Sequence, residues 1–465
     1  MRTRREADSI GELEVPEKAY YGVQTLRANR NFNITGHRMN DCFIKNLALI
    51  KKAAAKVNCE AGLLDAKKAK AISEACDEVI DGKFTDSFIT DPVQGGAGTS
   101  ANMNMNEVIA NRANELMGGK LGRYEYIHPN DHVNMAQSTN DTIPTAGKMT
   151  VINLTEDLIT ELKRLEKALR RKGLEFSDIV KMGRTQLEDA VPMTLGDTFN
   201  SYASMVSRCI KRLMTASSEM HTINLGATAI GTGINASDYY EDNITKTLSK
   251  LFGVYLDQAD DLFDATEDLD SFVEVSGALK ASVTSISKMC NDLRLLASGP
   301  RCGLHEINLP AMQNGSSIMP GKVNPVIPEV VTQASFLVCG HDVTITMAAE
   351  AGQMELNAFE PVLFHELFES ITAMTGAVRT LTDNCVSGIT ANADRCRELE
   401  ENSVGIVTAL NPYIGYTKSA SIAKKALREN KSLKEVLLEE NVLPADDIDK
   451  IFAGVISSAV RANAV

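Results

Sequence analysis

No cysteine of this chain stands in a C-x-x-C pair. Nine cysteines are scattered from Cys42 to Cys396, the nearest neighbours being Cys290 with Cys302 and Cys385 with Cys396. That spacing excludes a disulfide framework and a zinc site, and it reads as a set of reduced core thiols in a cytoplasmic protein. Proline is missing between Pro192 and Pro300 and again between Pro361 and Pro412, so long helices are permitted there. Runs of alternating β-branched residues bounded by Asn-Gly turns are also missing, so strands are expected to be scarce. No apolar region follows Arg2, Arg4 and Arg5, and no signal peptide is expected. The stretch Val330 to Ala349 carries one formal charge, Asp342, but Thr332, Gln333, Ser335, Gly340, His341 and Thr344 interrupt it. It is too polar to cross a bilayer. A helix so nearly apolar all round belongs at the centre of a large helical assembly. Basic charge is in deficit: the net charge is −13 and the pI about 5.2. That balance argues against nucleic acid or an anionic membrane as partner.

What is present is a helical pattern. The 465 residues suffice for two or three domains and a large core, and 44% hydrophobic with 23% charged residues is ordinary for a globular chain. Leu154, Leu158, Leu162, Leu165 and Leu169 form one stripe at period 3.6. Leu279, Val283, Ile286, Met289, Leu293 and Leu296 form another. The expected fold is almost entirely α. Three zones suggest themselves: 1–139, ending past the turn cluster His128-Pro-Asn-Asp; 140–394, holding the long helices; and 395–465, with shorter ones. In the last, Ser432-Leu-Lys-Glu435 reads as a capping box and Pro444 as a helix start. Wide apolar stripes on long helices need partners, and association into an oligomer is one solution.

The most informative segment is Gly315-Ser-Ser-Ile-Met-Pro-Gly-Lys-Val-Asn-Pro325. Gly315 and Gly321 hinge it, Pro320 and Pro325 keep it from becoming helix, and Lys322 is its only charge. A mobile loop with anion-binding donors and a potential base suits a lid over a small dianion. Gly226-Ala-Thr-Ala-Ile-Gly-Thr-Gly233 has no G-x-G-x-x-G register and no preceding strand, so no dinucleotide site is expected. His305, His341 and His365 lack metal-ligand spacing.

The loop resembles the signature segment of the aspartase/fumarase superfamily, whose members eliminate across a Cα–Cβ bond to release fumarate. Gln94-Gly-Gly-Ala-Gly-Thr-Ser-Ala-Asn-Met-Asn104, Lys181-Met-Gly-Arg-Thr-Gln-Leu-Glu-Asp-Ala-Val-Pro192, and His128-Pro-Asn-Asp-His-Val-Asn134 with Ser138-Thr-Asn-Asp141 resemble three further segments. The likeness runs from about Tyr20 to about Asp447. It implies a three-domain fold with a long central helical bundle that tetramerises, and active sites shared between subunits. It also implies that no cofactor is required, with divalent-cation activation left open.

The resemblance further implies roles. Thr99, Ser138, Thr139 and Ser317 are expected to bind the substrate carboxylate that becomes the aci-form. Thr185, Lys322 and Asn324 are expected to hold the other carboxylate, and Asn140 and Gln186 the departing amine. Ser316 is the expected general base. For any one hydroxyl alone, a helix cap or turn is the ordinary role. Many superfamily members carry His where this chain has Gln186. That departure, with Ser138-Thr139 and Val326-Ile-Pro-Glu-Val-Val331, points to loss of ammonia from L-aspartate rather than of water from malate. The alternatives are fumarate hydration and a non-catalytic structural protein on the same scaffold.

Overall fold

The computed structural model describes residues 2–452. Helices dominate it. A hairpin of β1 (Thr3–Asp8) and β2 (Gly11–Pro16) precedes α1 (Val23–Asn31), α2 (Asp41–Glu60), α3 (Ala66–Ile80) and α4 (Thr99–Leu116). The long helix α5 (Thr139–Glu175) follows, then a second hairpin of β3 (Val180–Thr185) and β4 (Glu188–Thr194). Next come α6 (Leu195–Ala216), α7 (Asp238–Phe252), the short α8 (Asp264–Glu267), α9 (Asp270–Leu296), α10 (Val326–Glu350) and α11 (Glu360–Asn384). The last part holds α12 (Ala393–Glu401), α13 (Asn411–Ile414), α14 (Tyr416–Glu429) and α15 (Leu433–Glu439). The proline-free stretches carry α6, α9 and α11, and the two apolar stripes lie on α5 and α9. Five of the six α9 stripe residues are almost fully buried, and Leu296 nearly so.

The chain divides into two compact units, one of residues 1–159, 212–281 and 336–373, the other of 160–211, 282–335 and 374–465. In the first unit α2 packs on α3, α4 and α7, with Leu47, Ile50, Ile72 and Val108 at its centre. Phe272, Phe364 and Phe368 cluster there with Phe43, at ring-centroid distances of 5.0 to 6.3 Å. Gly147 lets α5 approach this cluster, since a Cβ there would lie 2.6 Å from the Phe364 ring. Asp342, the one charge in the apolar stretch of α10, accepts hydrogen bonds from Ser276 and Lys280. No helix among the described residues is long and apolar enough to cross a membrane.

In the second unit the Lys172 ammonium donates to the Ile389 carbonyl at 2.7 Å, and Arg164 pairs with Glu161 and Asp383. Ile406, Leu410, Ile422, Leu433, Val436, Leu437 and Ile448 form a separate apolar cluster. The capping box is present: Ser432 Oγ accepts from the Glu435 amide, and Glu435 accepts from the Ser432 amide. Helix resumes at 445, directly after Pro444. Residues 453–465 of the expected C-terminal zone, and Met1 of the first, lie outside the described residues.

The β3–β4 hairpin is a feature that the sequence pattern did not announce. Its two-residue turn is Gln186-Leu187, with φ of 55° and 66°, a left-handed pair that matches strand twist but normally selects Asn-Gly. The pairing shifts register between Met182 and Arg184. The extra residue lies on β4 between Asp189 and Pro192, and Gly183 faces it, where a Cβ would come within 2.7 Å of the Val191 carbonyl.

Candidate active site

In the first unit, two helix starts meet. Thr99 opens α4 behind Gly98, whose φ is 86°. A Cβ on Gly98 would sit 2.9 Å from Ile143 of α5, so glycine is required both for conformation and for space. Thr99 Oγ1 donates to the Gly96 carbonyl at 2.7 Å. Thr139 opens α5, and its Oγ1 accepts from Asn102 Nδ2 at 3.2 Å. Ser138 Oγ accepts from the Asn140 amide at 3.3 Å, and Asp141 Oδ1 accepts from the Ser138 amide at 2.9 Å. Thus Thr99, Ser138 and Thr139 all lie at N-termini of helices of 18 and 37 residues, where free amide dipoles favour an anion. Asn140 donates from Nδ2 to the Ala229 carbonyl at 2.7 Å. That leaves its Oδ1, an acceptor, as the group suited to an ammonium.

The glycine-containing loop that begins at Gly226 is docked here. The amides of Gly226 and Thr228 donate to Asp141 Oδ2 at 3.2 and 3.1 Å. A carboxylate of the chain itself therefore occupies donors that a phosphate would need.

In the second unit, Thr185 and Gln186 sit exposed at the tip of the β3–β4 hairpin. The hairpin is anchored below its tip. Arg184 Nη1 lies 2.8 Å from Glu306 Oε1, and Lys181 Nζ lies 3.3 Å from Glu306 Oε2, with Glu306 fully buried. Burial lowers the Lys181 pKa, and Glu306 counters that shift. Ser403 Oγ donates to Asp189 Oδ2 at 2.7 Å on the other strand.

The 315–325 segment is a loop closed on itself. The Gly315 amide donates to the Lys322 carbonyl at 2.9 Å, and Asn324 Nδ2 donates to the Gly315 carbonyl at 2.6 Å. A Cβ on Gly315 would lie 2.4 Å from the Lys322 carbonyl oxygen, so this hinge admits only glycine. Gly321, the other, has φ 81°. Ser316 Oγ accepts from the amides of Ile318 and Met319 at 3.2 and 2.9 Å. Ser316 and Asn324 are half-buried, while Ser317 and Lys322 are exposed. A cleft of about 530 Å³ lies against the loop, lined among others by Arg294, His305, Asn308, Lys322, Asn324 and Glu329. Ser316 and Ser317 do not line it. Five expected residues thus lie on one loop and one hairpin of this unit besides Thr185, and four lie at the helix starts of the other.

His128 and His132 order the turn between α4 and α5. His128 Nδ1 accepts from the amides of Asn130 and Asp131, and His132 Nδ1 accepts from the His128 amide. No group of three or more His, Cys, Asp or Glu placed to hold a metal occurs among the described residues. All nine cysteines are free; five are buried, but Cys302 is exposed, so the expectation of core thiols fails at that position.

Two buried charges beside these hydroxyls are not singled out by the sequence. Lys51 lies on the buried face of α2 and donates to Asn102, Asn134 and Gln137. Burial brings its pKa down to about 7, with Asp141 pulling the other way. The available signal was a lysine in the apolar register of a helix, four residues from Leu47 and from Ala55. Burial pushes Asp141 up to about 6, against three amides and Lys51. Because that value exceeds the ordinary 3.8, the folded chain holds the proton more tightly than the unfolded one. The associated stability is present at about pH 4 and lost as pH rises through about 6. The parent protein is therefore expected to lose stability relative to Asp141→Asn across that range, by on the order of 2–3 kcal/mol. Urea unfolding of both at stepped pH measures it; a difference independent of pH would return Asp141 to an ordinary pKa.

The chain matches two family models, that described as lyase over residues 11–340 and that described as the fumarase C C-terminus over 406–453. It is 52% identical to the aspartate ammonia-lyase of Helicobacter pylori over 97% of this chain and 96% of that one. It is 48% identical to the aspartate ammonia-lyase of Escherichia coli over 97% and 95%. Among solved structures, fumarate lyase:delta crystallin from Brucella melitensis bound to cobalt superposes with a TM-score of 0.95 at 47% identity, over 98% of this chain and 99% of that one. The class II fumarase of Schistosoma mansoni gives 0.93 at 34%, over 97% and 98%. The chain belongs to the lyases of the aspartase/fumarase superfamily.

Proposed function

We infer that this member of the superfamily is an aspartate ammonia-lyase, a carbon–nitrogen lyase acting on a small-molecule substrate. It converts L-aspartate reversibly to fumarate and ammonia. The observation that carries this is identity of about half, over nearly the whole chain, to aspartate ammonia-lyases, against 34% to a fumarase. Gln186 in place of an imidazole supports the same choice.

The chemical difficulty is removing a proton from carbon beside a carboxylate. The intermediate is an aci-carboxylate, doubly negative on one carboxyl group, so catalysis depends on donors that tighten as that charge develops. In the proposal Thr99, Ser138, Thr139 and Ser317 supply those donors, and the helix starts at Thr99 and Thr139 support the assignment. Lys322, Asn324 and Thr185 hold the other carboxylate; Asn140 and Gln186 receive the amine. Ser316 takes the Cβ proton. Two amides on its Oγ support this, since they stabilise an alkoxide more than a hydroxyl.

The proposal extends to a homotetramer with shared active sites, supported by the uncovered apolar face of α10. It keeps the division into 1–139, 140–394 and 395–465. It requires no cofactor, and leaves activation by a divalent cation as a further proposal. A cytoplasmic location is supported by nine cysteines without a disulfide. The intact Ser316, Lys322 and Asn324 speak against a purely structural protein.

The test follows fumarate absorbance with purified protein and L-aspartate, beside a reaction with L-malate. Fumarate and ammonia from aspartate alone are expected. Fumarate from malate alone would make the protein a hydratase, and silence with both would favour a structural role.

A further inference from the structure

We propose that Lys51 is a positioning residue for the elimination, its buried ammonium fixing Asn102 so that Thr139 meets the substrate carboxylate as a hydrogen-bond donor. The inference rests on the role proposed above for Thr139.

Lys51 has no solvent exposure. Its Nζ reaches three oxygens, Asn102 Oδ1 at 2.6 Å, Asn134 Oδ1 at 2.9 Å and Gln137 Oε1 at 3.0 Å. An ammonium has three donors and no acceptor capacity, so each amide must turn its oxygen toward it. The consequence is felt at the far side of Asn102. Its Nδ2 faces Asn134 Oδ1 and Thr139 Oγ1, each at 3.2 Å. Thr139 Oγ1 accepts from that N–H, which leaves its own proton free to be donated elsewhere. Were Asn102 reversed, its oxygen would face the Thr139 hydroxyl and compete for that proton, and its NH₂ would face a buried ammonium. Asn134 is held in turn, with Nδ2 donating to the Gln137 carbonyl at 3.1 Å and Oδ1 accepting from Asn106. The cation thus sets the polarity of a short chain of groups ending at a hydroxyl on the first residue of α5.

A simpler role is available: a polar network joining α2, α4 and the 134–137 turn for stability alone. Such a network would be destabilised by losing its ammonium, but it would not care whether Thr139 is present. The two roles differ in coupling.

The experiment measures kcat/KM for L-aspartate in Lys51→Met, Thr139→Val and the double variant, with melting temperature as the check on folding. Each single change is expected to cost about 10- to 100-fold. In the double variant, Lys51→Met is expected to add less than about threefold to the loss from Thr139→Val, because both remove one interaction. Full multiplication of the two losses would overturn the relay while leaving Thr139 in the site. An unimpaired Thr139→Val would overturn the assignment of Thr139 itself. Should Lys51→Met not fold, Asn102→Asp decides: it keeps an acceptor for the ammonium but offers Thr139 an oxygen in place of an N–H. A loss like that of Thr139→Val at unreduced melting temperature is expected, and full activity would refute the proposal.

Discussion

Ser316→Ala is expected to remove about a thousandfold or more of turnover with L-aspartate while the protein stays folded and assembled. A thousandfold corresponds to about 4 kcal/mol of transition-state stabilisation. Losing the side chain costs the fold little. It forfeits two turn hydrogen bonds, from the Ile318 and Met319 amides, on a half-buried loop where each is worth about 1 kcal/mol. The loop keeps its closure, because the Gly315–Lys322 and Asn324–Gly315 bonds do not involve Ser316. The chemical loss has no such substitute. An ordinary serine hydroxyl is a very weak base, and what makes one usable is stabilisation of its ionised form. Two amides aimed at Oγ give part of that, and exclusion of water by a closing lid would strengthen it. Alanine leaves the same loop with nothing to take the proton. Initial rates of fumarate formation, with circular dichroism and molecular mass in parallel, make the measurement. A folded alanine variant that retains a tenth of the activity or more would remove Ser316 from the role.

Much of the fold and part of the site are legible in the sequence. The stripes from Leu154 and from Leu279 named buried faces of α5 and α9, because a period of 3.6 over several turns has few other meanings. The capping box at Ser432 was readable because its partners are local in sequence. The loop at Gly315 was readable because its hinges restrict residue choice. What escaped depended on contacts distant in sequence. The β3–β4 hairpin turns on Gln186-Leu187 with positive φ, a pair without glycine or asparagine, and a bulge on β4 opposite Gly183 breaks its alternation. Lys51 finds its acceptors 51, 83 and 86 residues away. In the sequence it looks like the first of two solvated lysines, and only the register of α2 turns it inward. Asp141 is similar, since Gly226 and Thr228 lie beyond 80 residues from it.

Charge placed on the outer face of α10 is expected to have the second largest effect. In the isolated chain Phe336 is 66% exposed, Leu337 56%, Val343 58% and Met347 65%. The opposite side of the same helix is closed, with Val338 and Ile345 almost completely buried. Heptad spacing links Phe336 to Val343, and Met347 lies eleven residues after Phe336, so these three side chains form one stripe, with Leu337 at its edge. Burying a wholly exposed side chain of this kind contributes about 1.5–3 kcal/mol; with about three-fifths of each still open, the four would contribute roughly 4–7 kcal/mol per copy. A face of that strength is the natural seam of the proposed tetramer. A carboxylate buried there without a partner would cost several kcal/mol. Leu337→Glu with Met347→Glu is therefore expected to dissociate the protein and to lower activity by about a hundredfold or more, since the proposed active sites draw on several copies. Because both positions are open in the single chain, the individual subunit is expected to keep its helical content. Sedimentation velocity and fumarate release on the same sample separate the outcomes. An unchanged mass would mean that α10 is not the seam. Smaller species with full activity would mean that each chain carries a complete site, and the shared-site proposal would fall while the lyase chemistry stood.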